Sequence, residues 1–301
     1  MSTIDPYKHL TMGAREALTL PPDQRLKWFR SDKWIEYDVA RQALARMEDL
    51  LTHPKVTRMP NLLLIGQSNN GKTSILDRMC ALHPPEESEE GLVVPVLSVQ
   101  APSGPDELRL FNNILCGLNI PYSPNDSIRK REPQIHGVLN ALGVRLLLID
   151  EIHNSLAGSI PKQRQFLNAI RILANRLQIS IVAAGTREAG RALSVDPQLA
   201  NRFEPFRLTQ WGCNQEWQKL IASFERLLPL PEASGLGAAS PATRLYELAE
   251  GWIGELKSVL TACLVTAVRE GKPRIDSVIL SKVAFVPPSK RRSDAERPDS
   301  S

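Results

Sequence analysis

The sequence predicts an α/β fold: a mostly parallel, doubly wound sheet that carries a phosphate-binding loop, followed by a smaller all-helical lid. Three observations predict it. The apolar stretch Leu62-Leu63-Leu64-Ile65 runs directly into Gly66-Gln67-Ser68-Asn69-Asn70-Gly71-Lys72-Thr73, a complete GxxxxGK[ST] loop with a strand signal before it and helical spacing after it. The runs over 144–149 and 179–184 are nearly continuous apolar segments, as parallel strands buried on both faces require. Past Trp211 the strand signals fade, and helical periods continue through Phe224, Leu245, Leu256, Leu260 and Leu264. A chain of 301 residues has room for one such core and one appended domain.

Residues 1–33 mix prolines with charges and read as an N-terminal arm, in which Trp28 and Phe29, with Trp34 just beyond, are apolar anchors. The nucleotide-binding domain is expected over 34–210. Val39, Ala43, Leu44, Met47 and Leu50 mark one face of its first helix. After the phosphate loop, Ile75, Leu76, Met79 and Leu82 recur at helical spacing. The acidic stretch Glu86-Glu87-Ser88-Glu89-Glu90 reads as a surface loop, and 93–99 as a second strand that Pro95 confines to an edge. Leu108, Phe111, Leu115 and Leu118 define a helix, and the polar, proline-bearing segment 121–133 reads as a loop holding Arg129-Lys130-Arg131. The strand ending in Asp150-Glu151 comes next. A helix with Phe166, Ile170, Leu173 and Leu177 then leads to the strand that closes on Gly185-Thr186. The lid is expected over 211–286, broken by a Pro/Gly/Ser-rich loop over 229–241, and residues 287–301 read as a disordered tail.

Composition narrows the function classes. A net charge of +4 and a pI near 8.9 permit contact with nucleic acid without demanding it. Cys80, Cys116, Cys213 and Cys263 are scattered with no CxxC pair, so they read as reduced thiols rather than as a metal cage or a disulfide framework. No apolar stretch approaches the length of a membrane span, and the start Met-Ser-Thr-Ile-Asp-Pro lacks the plan of a secretion signal; a soluble, cytoplasmic protein is expected.

The loop carries the chemistry. Its glycines let backbone N–H groups face inward around phosphate oxygens, and the dipole of the following helix favours the same charge. Lys72 is placed to reach the β- and γ-phosphates and Thr73 to ligate magnesium, so residues 66–74, Ser74 included, are the expected contacts of ATP with magnesium. Carboxylates at the C-terminal end of a parallel strand face the crevice where open α/β sheets bind ligands. Asp150 is thus expected to hold the metal together with Thr73, and Glu151 to act as the base that polarises the attacking water. Thr186 ends the neighbouring strand within reach of a γ-phosphate or that water. Arg202, in Asn201-Arg202-Phe203, is the expected arginine finger, stabilising transition-state charge on a neighbouring subunit's ATP. Arg129, Lys130 and Arg131 are the expected contacts to the DNA backbone, Lys290-Arg291-Arg292 an electrostatic docking or solubilising segment, and His153 a structural residue.

The phosphate loop, Leu147-Leu148-Ile149-Asp150-Glu151-Ile152-His153-Asn154, Gly185-Thr186, Asn201-Arg202-Phe203 and Gly251-Trp252-Ile253-Gly254 together resemble TniB and TnsC, the AAA+ transposition regulators of bacterial transposons. The likeness runs over about 34–284. It implies a P-loop AAA+ ATPase with a five-stranded parallel sheet and a small C-terminal helical lid. It also implies an ATP-dependent switch that oligomerises as a ring or filament on double-stranded DNA and recruits a DDE transposase (TniA/TnsB-like) and a TniQ-like target selector. By position, Lys72 and Thr73 are then Walker A residues, Asp150 and Glu151 Walker B, Thr186 sensor one and Arg202 the finger. The chain departs from the pattern at sensor two. Gly254-Glu255 stands where many lids place an arginine, leaving Lys257 as a substitute and slow, partner-stimulated hydrolysis as the consequence. Two other readings share the nucleotide site: a helicase loader or replication initiator, and a signalling or defence switch that does not touch DNA.

Overall fold

β1 (Asn61–Ile65) is buried at all of its positions, as a strand covered by helices on both faces must be. In chain order follow β2 (Glu86–Ser88), β3 (Gly91–Val93), β4 (Val96–Gln100), β5 (Leu146–Asp150), β6 (Ser180–Gly185) and β7 (Phe203–Arg207). The computed structural model describes residues 5–89, 91–194 and 202–295. Five of the strands form one sheet in the order β4-β5-β6-β1-β7, with every neighbouring pair parallel. β5 and β6 are as fully buried as β1. The two edge strands tolerate proline: Pro95 immediately precedes β4, and Pro205 lies within β7, which pairs with β1 alone. β2 and β3 form a separate antiparallel hairpin, so most of the acidic stretch expected as a loop is a short exposed strand and its turn; Glu90 falls outside the described residues.

The chain divides into two units, Asp38–Thr209 and a second built from Met1–Tyr37 together with Gln210–Ser301. In the first, the helices Asp38–Thr52, Lys72–Leu82, Glu107–Gly117, Ile128–Ala141, Ile160–Leu177 and Arg187–Ser194 accompany the sheet. Phe111, Ile114, Leu139, Phe166, Ile170 and Leu173 pack with the strand residues Leu147, Ile149 and Ile181 in one core. Each apolar side chain removed from water there contributes roughly 1.5–3 kcal/mol.

Two expectations change in this unit. The segment over 121–133 is not all loop, because Ser127 precedes a helix that begins at Ile128 and runs through Pro133. Proline is tolerated there because it removes only the bond that would have reached the exposed Arg129 carbonyl, one turn from the helix start. Arg131 is fully buried rather than presented to a partner. Its guanidinium donates to Gln134 Oε1 and to the Ser123 carbonyl, both at 2.6 Å, and stacks 4.7 Å from the centre of the Tyr122 ring.

The second unit is helical: Met12–Leu18, Pro22–Arg30, Gln215–Glu225, Ala239–Ala249, Ile253–Arg269, Ser277–Lys282 and Pro288–Ala295. Thr11, Asn214 and Asp276 cap three of these helices through their side-chain oxygens. Residues 5–33, expected as an arm with apolar anchors, are therefore mostly two helices of this unit, with the anchor Phe29 buried in its core. Leu26, Phe29 and Ile35 share a core with Trp217, Leu245, Leu256 and Leu260, and burying Phe29 is the physical reason the segment folds back. The loop after Gln215–Glu225 is tied down by Glu225, whose carboxylate accepts the backbone N–H groups of Ser234, Gly235 and Leu236, each at 2.7 Å. The expected tail also differs: Pro288–Ala295 is helical, Arg291 pairs with the buried Glu255 and lies over Phe285, and residues 296–301 fall outside the described part. Among the described residues no single helix is long and apolar enough to cross a membrane. The helices Ala239–Ala249 and Ile253–Arg269 pass that test only when joined, and they turn by 111° at their junction.

Candidate functional site

Three neighbouring strands deliver the site residues to one end of the sheet. β1 ends at Ile65, opposite Gly185 of β6, and the Gly66 N–H donates to the Gly185 carbonyl at 3.0 Å. β5 ends at Asp150 beside β6. The chain leaves β1 through a loop whose Asn69 and Gly71 take left-handed backbone, and Gly71, at φ 82°, caps the helix Lys72–Leu82. Gly185 is demanded by a close approach: a Cβ there would stand 2.9 Å from both Ala189 Cβ and Ile152 Cγ2, side chains of the two turns that flank it.

Lys72 is buried and folds back over its own loop, donating to the carbonyls of Gly66 at 3.0 Å and Gln67 at 3.1 Å. Burial lowers its pKa, with Glu151 and Asp150 opposing the shift. An ammonium in such surroundings gains from a new anion beside it. Thr73 Oγ1 donates to Asp150 Oδ2 at 2.6 Å, so the hydroxyl and the carboxylate expected to share magnesium touch each other. Hard oxygen ligands such as this hydroxyl and carboxylate on adjoining elements are what that ion uses. Gln67, Ser68 and Ser74 are exposed along the same loop, but Asn70 is not. Its amide donates to the carbonyls of Leu208 at 2.9 Å and Thr209 at 3.2 Å, making its side chain a strut between the loop and the segment after β7.

Glu151 begins the turn after β5 with φ 55° and ψ 36°, a left-handed conformation that costs a non-glycine residue roughly 1–2 kcal/mol. Its N–H donates to Asp150 Oδ1 at 2.8 Å, and its Oε2 lies 3.2 Å from His153 Nε2. His153 thus has the structural place expected of it, in the turn after the strand and against the Glu151 carboxylate. Ser155 anchors the same turn by donating to the Pro102 carbonyl at 2.9 Å.

Thr186 directly follows β6, half-buried, and its hydroxyl hydrogen-bonds the Glu188 carboxylate, lowering the pKa of that acid. The Thr186 hydroxyl is thus held by the start of its own following helix. Arg202 is elsewhere. It precedes β7 at the end of the sheet where β1 begins, with Nη1 donating to Asn175 Oδ1 at 2.7 Å. Asn201, the first member of its triplet, lies outside the described residues. Of the basic triplet, Arg129 and Lys130 are exposed in the first helical turn, with Lys130 3.8 Å from Asp126, and Arg131 is enclosed. Lys257 lies 3.2 Å from Asp32 within the helical unit, which engages the cation expected to replace sensor two.

The fold is that of P-loop AAA+ ATPases. The chain superimposes on the Aeropyrum pernix ORC2 protein of the ADPNP-ADP complexes with a TM-score of 0.60 at 16% identity, covering 85% of this chain and 70% of that one. For the Aeropyrum pernix ORC1 protein in complex with DNA the TM-score is 0.56 at 15% identity, covering 93% and 69%. For the Thermotoga maritima RuvB Holliday junction branch migration motor the values are 0.51 and 15%, covering 85% and 72%. No curated protein sequence matches the chain. The family model described as bacterial TniB protein matches residues 25–213, a span that takes in the phosphate loop, the Asp150-Glu151 pair, Thr186 and Arg202. With more than half of its length matched, and with the parallel sheet that delivers those residues, the chain belongs to the TniB family.

Proposed function

We propose that this protein is an ATP-driven switch that assembles on double-stranded DNA and, in the assembled state, recruits a DDE transposase and a TniQ-like target selector during DNA transposition. The observation that carries the ATPase reading is the 2.6 Å contact between Thr73 and Asp150 beside the buried Lys72. Family membership supports the DNA and transposase partners, and the ORC1 relative was solved in complex with DNA.

The residues divide the work as follows. Backbone N–H groups of 66–72 receive the phosphates, and Lys72 exchanges the carbonyls of Gly66 and Gln67 for β- and γ-phosphate oxygens. Thr73 and Asp150 would hold magnesium, which would supply charge neutralisation to the phosphates. Glu151, oriented by His153, takes the proton of the attacking water. Thr186, once it exchanges Glu188 for the γ-phosphate or that water, reports the state of the nucleotide to the helix after β6. Arg202 serves a neighbouring copy, so bound ATP favours assembly and hydrolysis releases it. Assembly multiplies weak backbone contacts, with Arg129 and Lys130 as surface cations on each subunit, into useful DNA affinity.

Electron microscopy of the full chain with duplex DNA and a slowly hydrolysed ATP analogue tests this reading. Ordered rings or filaments that form with nucleotide, and fail to form with Lys72→Ala, are expected. Lys72→Ala protein that coats duplexes as well as the parent chain in nucleotide-free buffer would overturn it.

A further inference from the structure

A feature at the other end of the sheet goes beyond a single finger. A cavity of about 910 Å³ opens where the helix Asp38–Thr52, the loop before β1, the helix Ile160–Leu177 and the start of β7 meet. Four arginines line it, Arg46, Arg58, Arg171 and Arg202, against the two carboxylates Asp49 and Glu204. Glu204 lies 3.7 Å from Arg46, and both are largely exposed. Burial, then Arg171, then Arg58 lower the pKa of the Arg202 guanidinium. Like charges gathered around a partly buried space repel one another, and an anion placed among them relieves that repulsion.

The cluster is built on rigid parts. Asn61, buried at the first position of β1, donates its backbone N–H to the Arg202 carbonyl at 3.0 Å and its amide to the Met59 carbonyl at 3.4 Å, and accepts the Ile181 N–H at 2.8 Å. The side chain of Asn61 thus joins the segment that carries Arg58 to the middle of the sheet, and its backbone N–H ties in Arg202. None of this serves the phosphate loop of the same chain. β7 pairs with β1 from Asn61↔Phe203 to Ile65↔Arg207, so Arg202 stands at the start of β1, while the loop begins about 17 Å farther along at 3.3 Å per residue.

We propose that the arginine cavity is a composite phosphate site for the nucleotide held by a second copy of this chain, in which Arg58 and Arg171 act as additional cations beside Arg202. The proposal rests on the assembly reading above and deepens it. Charge complementarity selects this occupant: the face presented by another copy carries a magnesium triphosphate together with Asp150 and Glu151. Within the helical unit Lys257, the cation expected to replace sensor two, is already paired with Asp32. Cations supplied in trans make good that shortfall.

Subunit mixing tests it. Protein carrying Arg58→Ala and Arg171→Ala, and separately Arg202→Ala protein, is mixed with Glu151→Gln protein in the presence of duplex DNA and ATP. A companion Arg58→Gln/Arg171→Gln protein keeps the volume of the side chains where truncation harms folding. Alone, the double variants are expected to lose on the order of tenfold in DNA-stimulated turnover while binding a fluorescent ATP analogue as isolated subunits with unchanged affinity. In the mixture they regain turnover, because the Glu151→Gln neighbours bring intact arginines. If the Arg202→Ala mixture recovers and the double-variant mixtures do not, or if the double variants alone turn over normally, the composite site falls and the single finger stands. If neither mixture recovers although both assemble, the trans reading and this inference fall together. A loss of duplex binding without nucleotide, with turnover per assembled subunit unchanged, assigns the cavity to DNA phosphates and overturns the proposal.

Discussion

The two ends of the parallel sheet are built in different ways. At the end where β1, β5 and β6 finish, the candidate groups come from one nine-residue stretch, one Asp-Glu pair and Thr186, each read directly from a local motif. At the end where β1 and β7 begin, the charged groups come from four separated segments and meet only through folding. A contiguous site is written in a motif, whereas a composite one is written in topology. On the proposed reading the first end holds a nucleotide and the second responds to one held by another copy, so variants should separate binding from turnover.

The largest separation is expected at the second end. Arg202→Ala should reduce steady-state ATP hydrolysis in DNA-bound assemblies by about 10³-fold, while a fluorescent ATP analogue still binds the isolated subunit. Parallel loss of both would merge the two ends into one function. Next, Glu151→Gln should retain the analogue and lose hydrolysis by about 10²-fold or more, measured as phosphate release. Wild-type turnover in that variant would remove its assigned role as base.

A smaller effect tests the rigidity of the second end. Asn61→Ala leaves the buried Ile181 N–H without its side-chain acceptor, and chemical denaturation should report a loss of about 1–3 kcal/mol. The smallest effect probes the helix after the phosphate loop. Burial, then Asp77, push the Cys80 thiol up to about 11, so only about one part in 10³ is thiolate at pH 8. Because the thiolate is the reacting form, its fraction and the alkylation rate should rise about tenfold from pH 8 to 9, with the exposed Cys116 and Cys213 labelled first. Rapid labelling of Cys80 at pH 8 would show that this helix opens freely.

The same contrast explains how much of the molecule was legible. β1, β5 and β6 are read easily because strands buried on both faces are apolar without interruption, and Pro95 correctly signals an edge. The loop residues and Asp150 are legible because phosphate and metal chemistry admits few residue types at fixed spacing. Arg131 was misread because a buried, stacked arginine and a surface arginine are the same letter; only Ser123, Gln134 and Tyr122, brought close by folding, distinguish them. Pro133 suggested a loop that the helix start overrides. The first helices were read as an arm because Leu26 and Phe29 find their partners some two hundred residues later, at Trp217, Leu245 and Leu260, a separation that no local window spans.

That last feature bears on how the protein comes into being. Asp38–Thr209 is one uninterrupted stretch and has all of its own strands once it has been synthesised. Met1–Tyr37 is synthesised before it yet waits for Gln210–Ser301 to complete its core, so Leu26 and Phe29 stay uncovered on the nascent chain while Asp38–Thr209 is made. A lesion in the helices before residue 37 therefore strikes a core completed only after residue 209, and a ribosome that stalls just beyond residue 209 leaves a phosphate loop without its helical companion.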